Sequence, residues 1–167
     1  MTKEKDLTAS SPAAGRAASS PTPLALEQFL PYRLNNVSET VSRSFARLYA
    51  EQFGMDRPEW RVIAIIGQVG RVTAKTVSER STMHKTKVSR AVSALEKKGF
   101  VARTPNPEDL REIFLELTEA GHCAYETLVP QALRFSSHLN NSLSADEAQL
   151  LDSILEKLTK AASTYKS

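Results

Sequence analysis

The sequence predicts a mainly α-helical fold in which two short helices run into a two-stranded hairpin, with longer helices on either side. Three observations carry this prediction. From Leu24 onward, apolar residues recur at spacings of three and four over most of the chain. After Gly99 the period shortens to two, and Ile113, Leu115 and Leu117 alternate with Phe114 and Glu116. The charge is also unevenly placed. Residues 71–111 hold ten Lys and Arg against four Asp and Glu, a net +6, while 112–167 carry −4, 24–70 are neutral and 1–23 carry +1. A basic middle between neutral and acidic flanks suits a unit that binds a polyanion. The competing explanation is a solvated helix face.

Composition bounds the remaining possibilities. With 167 residues, 41% hydrophobic and 25% charged, the chain suits one globular domain. A domain of about 150 residues buries enough surface to need no disulfide or metal. No uncharged run approaches the roughly 18 residues of a spanning helix, so no membrane partner is expected. Met1 to Asp6 carry Lys3, Glu4, Lys5 and Asp6 with no apolar run behind them, unlike a signal peptide. The single cysteine, Cys123, cannot close an internal disulfide, which fits a reducing cytoplasm.

Residues 1–23, rich in Ala, Ser, Thr and Pro, read as a flexible tail. A helical pattern starts at Leu24, with Pro31 marking a kink or a restart. Leu30, Leu34, Val37, Val41, Phe45 and Leu48 form its apolar stripe, and Arg33, Asn36, Thr40, Arg43 and Arg47 a polar one. Gly54 ends this helix. Asp56 and Pro58 start the next, which carries Trp60, Ile63 and Ile66 and closes at Gly67 or Gly70. Thr73 caps a short helix from Ala74 to about Ser81. A turn through Thr82, Met83 and His84 then leads to a basic helix with Val88, Val92 and Leu95 facing inward, ended by Gly99. Two helices joined by a tight turn form a helix-turn-helix. The strands Phe100–Thr104 and Glu112–Leu117, joined by a Pro- and Asn-rich loop, add a wing. Thr118 caps a long helix carrying Leu128, Val129, Leu133 and Leu139, with a bend at Pro130. Ser144 and Glu147 form a capping box for a last helix with Leu150, Leu151, Ile154, Leu155 and Leu158. The terminal helices are more apolar than a small winged module needs, so a subunit interface is expected. The predicted organisation is a winged helix-turn-helix DNA-binding lobe at 57–117 and a helical dimerisation region at 24–56 and 118–162.

These elements resemble the MarR family of winged-helix transcriptional regulators. Three spaced motifs carry the resemblance: Leu95-Glu96-Lys97-Lys98-Gly99, Asp109-Leu110-Arg111 and Leu117-Thr118-Glu119-Ala120-Gly121. It covers residues 26–162. Leu110 departs from the often basic middle position of the wing, and His84 stands where the recognition helix usually has a capping Asp or Ser. The resemblance implies a homodimer whose first, fifth and sixth helices interlock on a pseudopalindromic operator in double-stranded DNA. Each recognition helix would lie in the major groove and each wing tip beside the minor groove. A small-molecule pocket between the dimer helices and the lobe is implied as well. The segments Phe29–Asn36 and Pro58–Val62 are similar to the subgroup that responds to hydroxycinnamoyl-CoA thioesters.

The chemistry of the side chains fits those roles. Lys85, Thr86, Lys87, Ser89 and Arg90 lie opposite the Val88/Val92/Leu95 stripe. Lys and Arg can bond guanine O6 and N7, and a Thr methyl can touch thymine. Thr73 joins them as a candidate DNA contact at the start of the preceding helix. Arg111 suits a narrow minor groove, with Asp109 placed to orient its guanidinium; the bland alternative is an Asp–Arg pair that only fixes the hairpin. Tyr32, Arg33, Asn36, Thr40, Arg43 and Trp60 are the candidate ligand residues, because aromatics with arginines suit an aromatic acid or an anionic acyl-CoA. A surface face with a core tryptophan would look the same. Glu119 and Glu126 disfavour a thiolate at Cys123, so a structural cysteine is expected rather than a redox sensor. His84, His122 and His138 show no metal-ligand spacing, no nucleotide or hydrolase motif is present, and neither metal, cofactor nor catalysis is expected. The function expected is a ligand-released repressor. The alternatives are a winged-helix module for protein contacts and a Cys-based redox repressor.

Overall fold

A computed structural model of the chain describes residues 23–107, 109 and 112–165. The expected flexible tail, apart from Pro23, and the wing residue Arg111 lie outside the described residues. Among the described residues no helix is long and apolar enough to cross a membrane. The chain divides into two units, Met1–Val37 and Ser38–Ser167.

In the first unit the helical pattern is split. Leu26–Gln28 form a single 3-10 turn, and the α-helix α1 (Leu30–Phe53) begins only at Leu30. Pro31 sits in the first turn of α1, where a missing N–H breaks no helical hydrogen bond. It therefore marks a restart and not a kink. Leu24, Leu26, Phe29, Leu30, Leu34 and Val37 are all exposed.

The second unit holds the core. It contains the rest of α1, α2 (Arg57–Val69), β1 (Val72–Thr73), α3 (Ala74–Ser81), α4 (Lys85–Lys97), β2 (Val101–Pro105), β3 (Ile113–Leu117), α5 (Glu119–Asn140) and α6 (Ala145–Thr164). The fold is mainly helical, with a three-stranded antiparallel sheet in the order β1-β3-β2. Val101 pairs with Leu117 and Pro105 with Ile113 in the hairpin, and Val72 pairs with Leu115 on its other edge. The third strand, β1, is an addition to the two-stranded wing the sequence predicts. At two residues it is too short to show a period. Val62, Ile63 and Ile66 of α2, Val77 of α3, Val88, Val92 and Leu95 of α4, and Leu115 and Leu128 are fully buried together.

Local chemistry sets the boundaries. Asp56 caps α2 in a two-way capping box with Glu59: Asp56 Oδ1 accepts from Glu59 N at 2.8 Å, and Glu59 Oε2 accepts from Asp56 N at 2.7 Å. Gly70, not Gly67, closes this helix, with φ at 89°. Two of the motifs meet at the base of the hairpin. Thr118 Oγ1 donates to Gly99 O at 2.6 Å and accepts from Gly121 N at 3.0 Å, and Thr118 N donates to Phe100 O at 3.1 Å. Gly121 packs so close to the Phe100 carbonyl that a side-chain carbon would collide with it. The glycine is thus required by close approach. Helix α5 runs on through Pro130 without interruption. Its buried stripe is Gly121, Ala124 and Leu128, whereas Leu133 is 64% exposed. No residue of α6 is buried; Leu150, Leu151, Ile154 and Leu155 are all exposed.

Candidate nucleic-acid interface and effector cleft

Helices α3 and α4 are held by a turn with its own hydrogen bonds. Thr73 Oγ1 caps α3 by accepting from Thr76 N at 3.2 Å. At the far end, Ser78 Oγ donates to Met83 O at 2.7 Å and Ser81 Oγ accepts from Met83 N at 3.2 Å. Thr82 takes a left-handed conformation with φ at 56°, which a β-branched residue disfavours. His84 then fills the N-cap of α4. Its Nδ1 accepts from Thr86 N at 3.3 Å, while its carbonyl accepts from Lys87 N and Val88 N. The cap that the sequence seemed to lack is supplied by imidazole.

From this start, α4 separates its residues cleanly. Val88, Ala91, Val92 and Leu95 are buried, and Lys85, Thr86, Lys87, Ser89 and Arg90 are exposed. The basic segment divides in the same way. Arg71 is paired with Glu116 and lies over the Phe114 ring, Arg103 Nε donates to Glu96 at 2.7 Å, and Lys98 is paired with Glu59. Lys75, Arg80, Lys85, Lys87, Arg90 and Lys97 are exposed, and none makes an ion pair with a described residue. Among the described residues of this segment, the positive charge without an ion pair therefore belongs to α3 and α4. Thr73, by contrast, is half-buried and spends its hydroxyl on the cap. In the wing, Asp109 is exposed and its carbonyl accepts from Glu112 N at 2.9 Å.

Sequence reasoning misses the anchor of this lobe. Lys98 Nζ donates to both Glu59 carboxylate oxygens at 2.8 and 2.7 Å and to Gly54 O at 2.6 Å. Glu59 is 4% exposed. The three bonds tie the C-terminus of α4 to the N-terminus of α2 and to the turn after α1. Thirty-nine residues separate the pair, so no local pattern signals it.

A cleft of about 220 Å³ opens between α1, α2 and α5, lined by Val41, Ser42, Phe45, Tyr49, Arg57, Trp60, Arg61 and Phe135. Four of these are aromatic. Phe45 stacks on Phe135 at 5.5 Å, Tyr49 stacks on Trp60 at 6.0 Å, and Phe45 meets Trp60 edge-on. Burial pushes the Tyr49 phenol above its ordinary range, against the opposing pull of Arg57. Arg57 is committed, because both its terminal nitrogens donate to the Glu39 carboxylate at 2.9 Å. That guanidinium holds Glu39 below the usual carboxylate range. Arg61 is exposed and makes no ion pair with a described residue. Of the predicted ligand residues in this unit, Trp60 lines the cleft. Thr40 and Arg43 are exposed and do not, and Arg43 approaches Glu39 at 3.7 Å. Tyr32, Arg33 and Asn36 belong to the first unit, where each is exposed. Arg57 and Arg61, four apart on α2 around Trp60, were the signal available in the sequence for this face.

Among the described residues, no group of three or more His, Cys, Asp or Glu is placed to hold a metal. Cys123, expected as a structural residue, is exposed, because the buried stripe of α5 passes through its neighbours Gly121 and Ala124.

With this geometry in hand, the chain can be set beside known proteins. The profile of the MarR family matches residues 55–113. That stretch holds α2, β1, α3, α4 and β2. An uncharacterized HTH-type transcriptional regulator of Bacillus cereus is 27% identical over 129 residues, covering 77% of this chain and 83% of that protein. A MarR/EmrR family transcriptional regulator from Acinetobacter sp. ADP1 superposes with a TM-score of 0.76 at 23% identity, over 85% of this chain and 100% of that one. Staphylococcus aureus MepR, solved with DNA, gives 0.72 at 20% identity over 80% and 98%. Bordetella bronchiseptica BpsR, whose DNA binding is regulated by 6-hydroxynicotinic acid, gives 0.70 at 16% over 83% and 98%. The fold is that of the MarR-type winged-helix structures.

Proposed function

We propose that the chain is a MarR-family, homodimeric, sequence-specific DNA-binding transcriptional regulator, a repressor released by a small aromatic acid. One observation carries the DNA-binding part. On the outer face of α4, Lys85, Lys87 and Arg90 are exposed and make no ion pair with a described residue, while the opposite face is buried in the lobe. Exposed cations on a helix with no ion-pair partner among the described residues are available to phosphates and guanine edges. The match of the MarR profile to this segment supports the reading, as does the naming of the relatives as regulators and not enzymes. Arg111, with Asp109, is assigned to the minor groove on the strength of the Asp-Leu-Arg motif. The exposed apolar face of α6 supports the dimer, since a surface of that kind on a soluble chain seeks cover.

The effector reading rests on the aromatic cleft. A planar ring would lie in the cleft that Phe45, Trp60 and Phe135 line, with its carboxylate directed to Arg61, the cation there not already committed to a described carboxylate. The cleft holds a ring and an acid group, and the nucleotide arm of an acyl-CoA would have to lie outside it. The BpsR precedent supports an aromatic acid. A winged-helix module for protein contacts alone would have no need of the exposed cations concentrated on α4.

The test is fluorescence anisotropy with a duplex from the chain's own promoter region at about 50 and 200 mM salt. A drop in affinity of about a thousandfold or more across that range is expected if several phosphates are contacted. Absence of binding, or binding indifferent to salt, would overturn the proposal. For the effector, titration calorimetry with p-coumarate and p-coumaroyl-CoA, each repeated with DNA, separates the free acid from the thioester.

A further inference from the structure

We propose that His84 is a positioning residue for DNA recognition and makes operator binding proton-sensitive, because its imidazole is the N-cap of the recognition helix. This rests on the reading of α4 as the DNA-contacting helix. The geometry is specific: His84 Nδ1 accepts from Thr86 N at 3.3 Å, so Nδ1 must carry a lone pair and no proton. An Asp or Ser cap would remain an acceptor across the physiological range. Imidazole takes up its second proton between about pH 5 and 8, and Nδ1 then becomes a donor aimed at a donor. Protonation therefore removes the cap and also places a positive charge at the positive end of the helix. The residues in the turn that loosens are Lys85, Thr86 and Lys87, three of the side chains assigned to DNA.

Among the described residues, no carboxylate forms an ion pair with His84. On α4 itself the neighbours are Lys85, Lys87 and Arg90. On α3, which packs against it, the charged groups are Lys75, Glu79 and Arg80. On α2, Glu59 is bonded to Lys98 and Arg57 to Glu39, leaving Arg61, and on β2 Arg103 is bonded to Glu96. None of these forms an ion pair with His84. Against the loss of the cap stands attraction of the new charge to DNA phosphates, which would tighten binding. The two effects have opposite signs, so the pH profile distinguishes them.

The experiment is anisotropy of the full chain on its promoter-region duplex at constant ionic strength, from about pH 7.5 to 5.5, with His84→Ser and His84→Ala. Loss of a cap in each of two recognition helices should weaken wild-type binding about tenfold over this range. His84→Ser keeps an acceptor that does not titrate, so its profile should be nearly flat, at wild-type strength at the upper pH. His84→Ala should be nearly flat and weak throughout. His122 and His138 are present in all three proteins, so any slope they cause is common to all. A wild-type slope matched by His84→Ser, or wild-type binding that tightens as pH falls, overturns the inference. If no protein binds DNA at any pH, the proposed function falls, and the cap is judged in the free protein by NMR. There the Thr86 amide resonance should titrate together with the His84 imidazole in the wild type; an amide that stays put while the imidazole titrates contradicts the cap.

Discussion

The winged lobe and the terminal helix α6 are both amphipathic, yet only the lobe closes on itself. From α2 to β3 nearly every inward apolar side chain is buried, with Val62, Ile63 and Leu95 at zero exposure. In α6, by contrast, Leu150, Leu151, Ile154 and Leu155 stand at 41–57% exposure on a helix with no buried residue. The difference teaches that the core is built in one part of the chain and the exposed apolar surface is concentrated in another. The lobe buries its own core, and the end of the chain carries apolar surface suited to the second copy proposed above.

The largest expected effect breaks the closed region. Lys98→Met leaves Glu59 buried without its cation and the Gly54 carbonyl without its donor, and should cost about 3–5 kcal/mol of unfolding free energy. Urea denaturation checks this, and a loss below about 1 kcal/mol would show that the network is dispensable. On the proposed DNA face, Arg90→Ala or Lys87→Ala should weaken operator binding by about 1–3 kcal/mol without shifting the melting temperature, because both side chains are exposed and make no ion pair with a described residue. Equal affinity would return that residue to solvent. Thr82→Asn should stabilise the lobe by about 1 kcal/mol, since Asn tolerates the left-handed conformation that Thr82 is held in; an unchanged midpoint in urea would mean the strain is absorbed elsewhere.

The smallest effect is the dependence on acid. Glu39 titrates below its ordinary value of 4.5 because Arg57 holds its carboxylate. Its folded value lies below its unfolded one. The stabilisation is therefore present above pH 4.5 and is lost as pH falls through the folded value. Glu39→Gln should flatten the stability profile below about pH 4.5 and leave its shape at neutral pH unchanged. Retention of the wild-type acid slope would place that linkage on other carboxylates.

How far the sequence showed this in advance depends on range. Asp56, Thr73, Thr118 and Ser144 were legible as caps because capping is a matter of three residues. The hairpin was legible because its period changes. Strand β1 was not, since Val72 and Thr73 become a strand only by pairing with Leu115 and Phe114. The Lys98–Glu59 pair was hidden for the same reason. At the cleft, the spacing of the α1 residues gave a polar face but not what faces it. Phe135 and Tyr49 meet Trp60 only through the packing of α5 and α1 on α2. The His84 cap was not legible because imidazole is an uncommon acceptor at that position.

The division between a closed lobe and a helix awaiting a partner is tested most directly by sedimentation of the full chain with its promoter-region duplex at micromolar concentration. Two chains per duplex are expected, and the free protein should sediment at twice 18.4 kDa. A free protein of 18.4 kDa that binds the duplex one chain at a time would contradict the account.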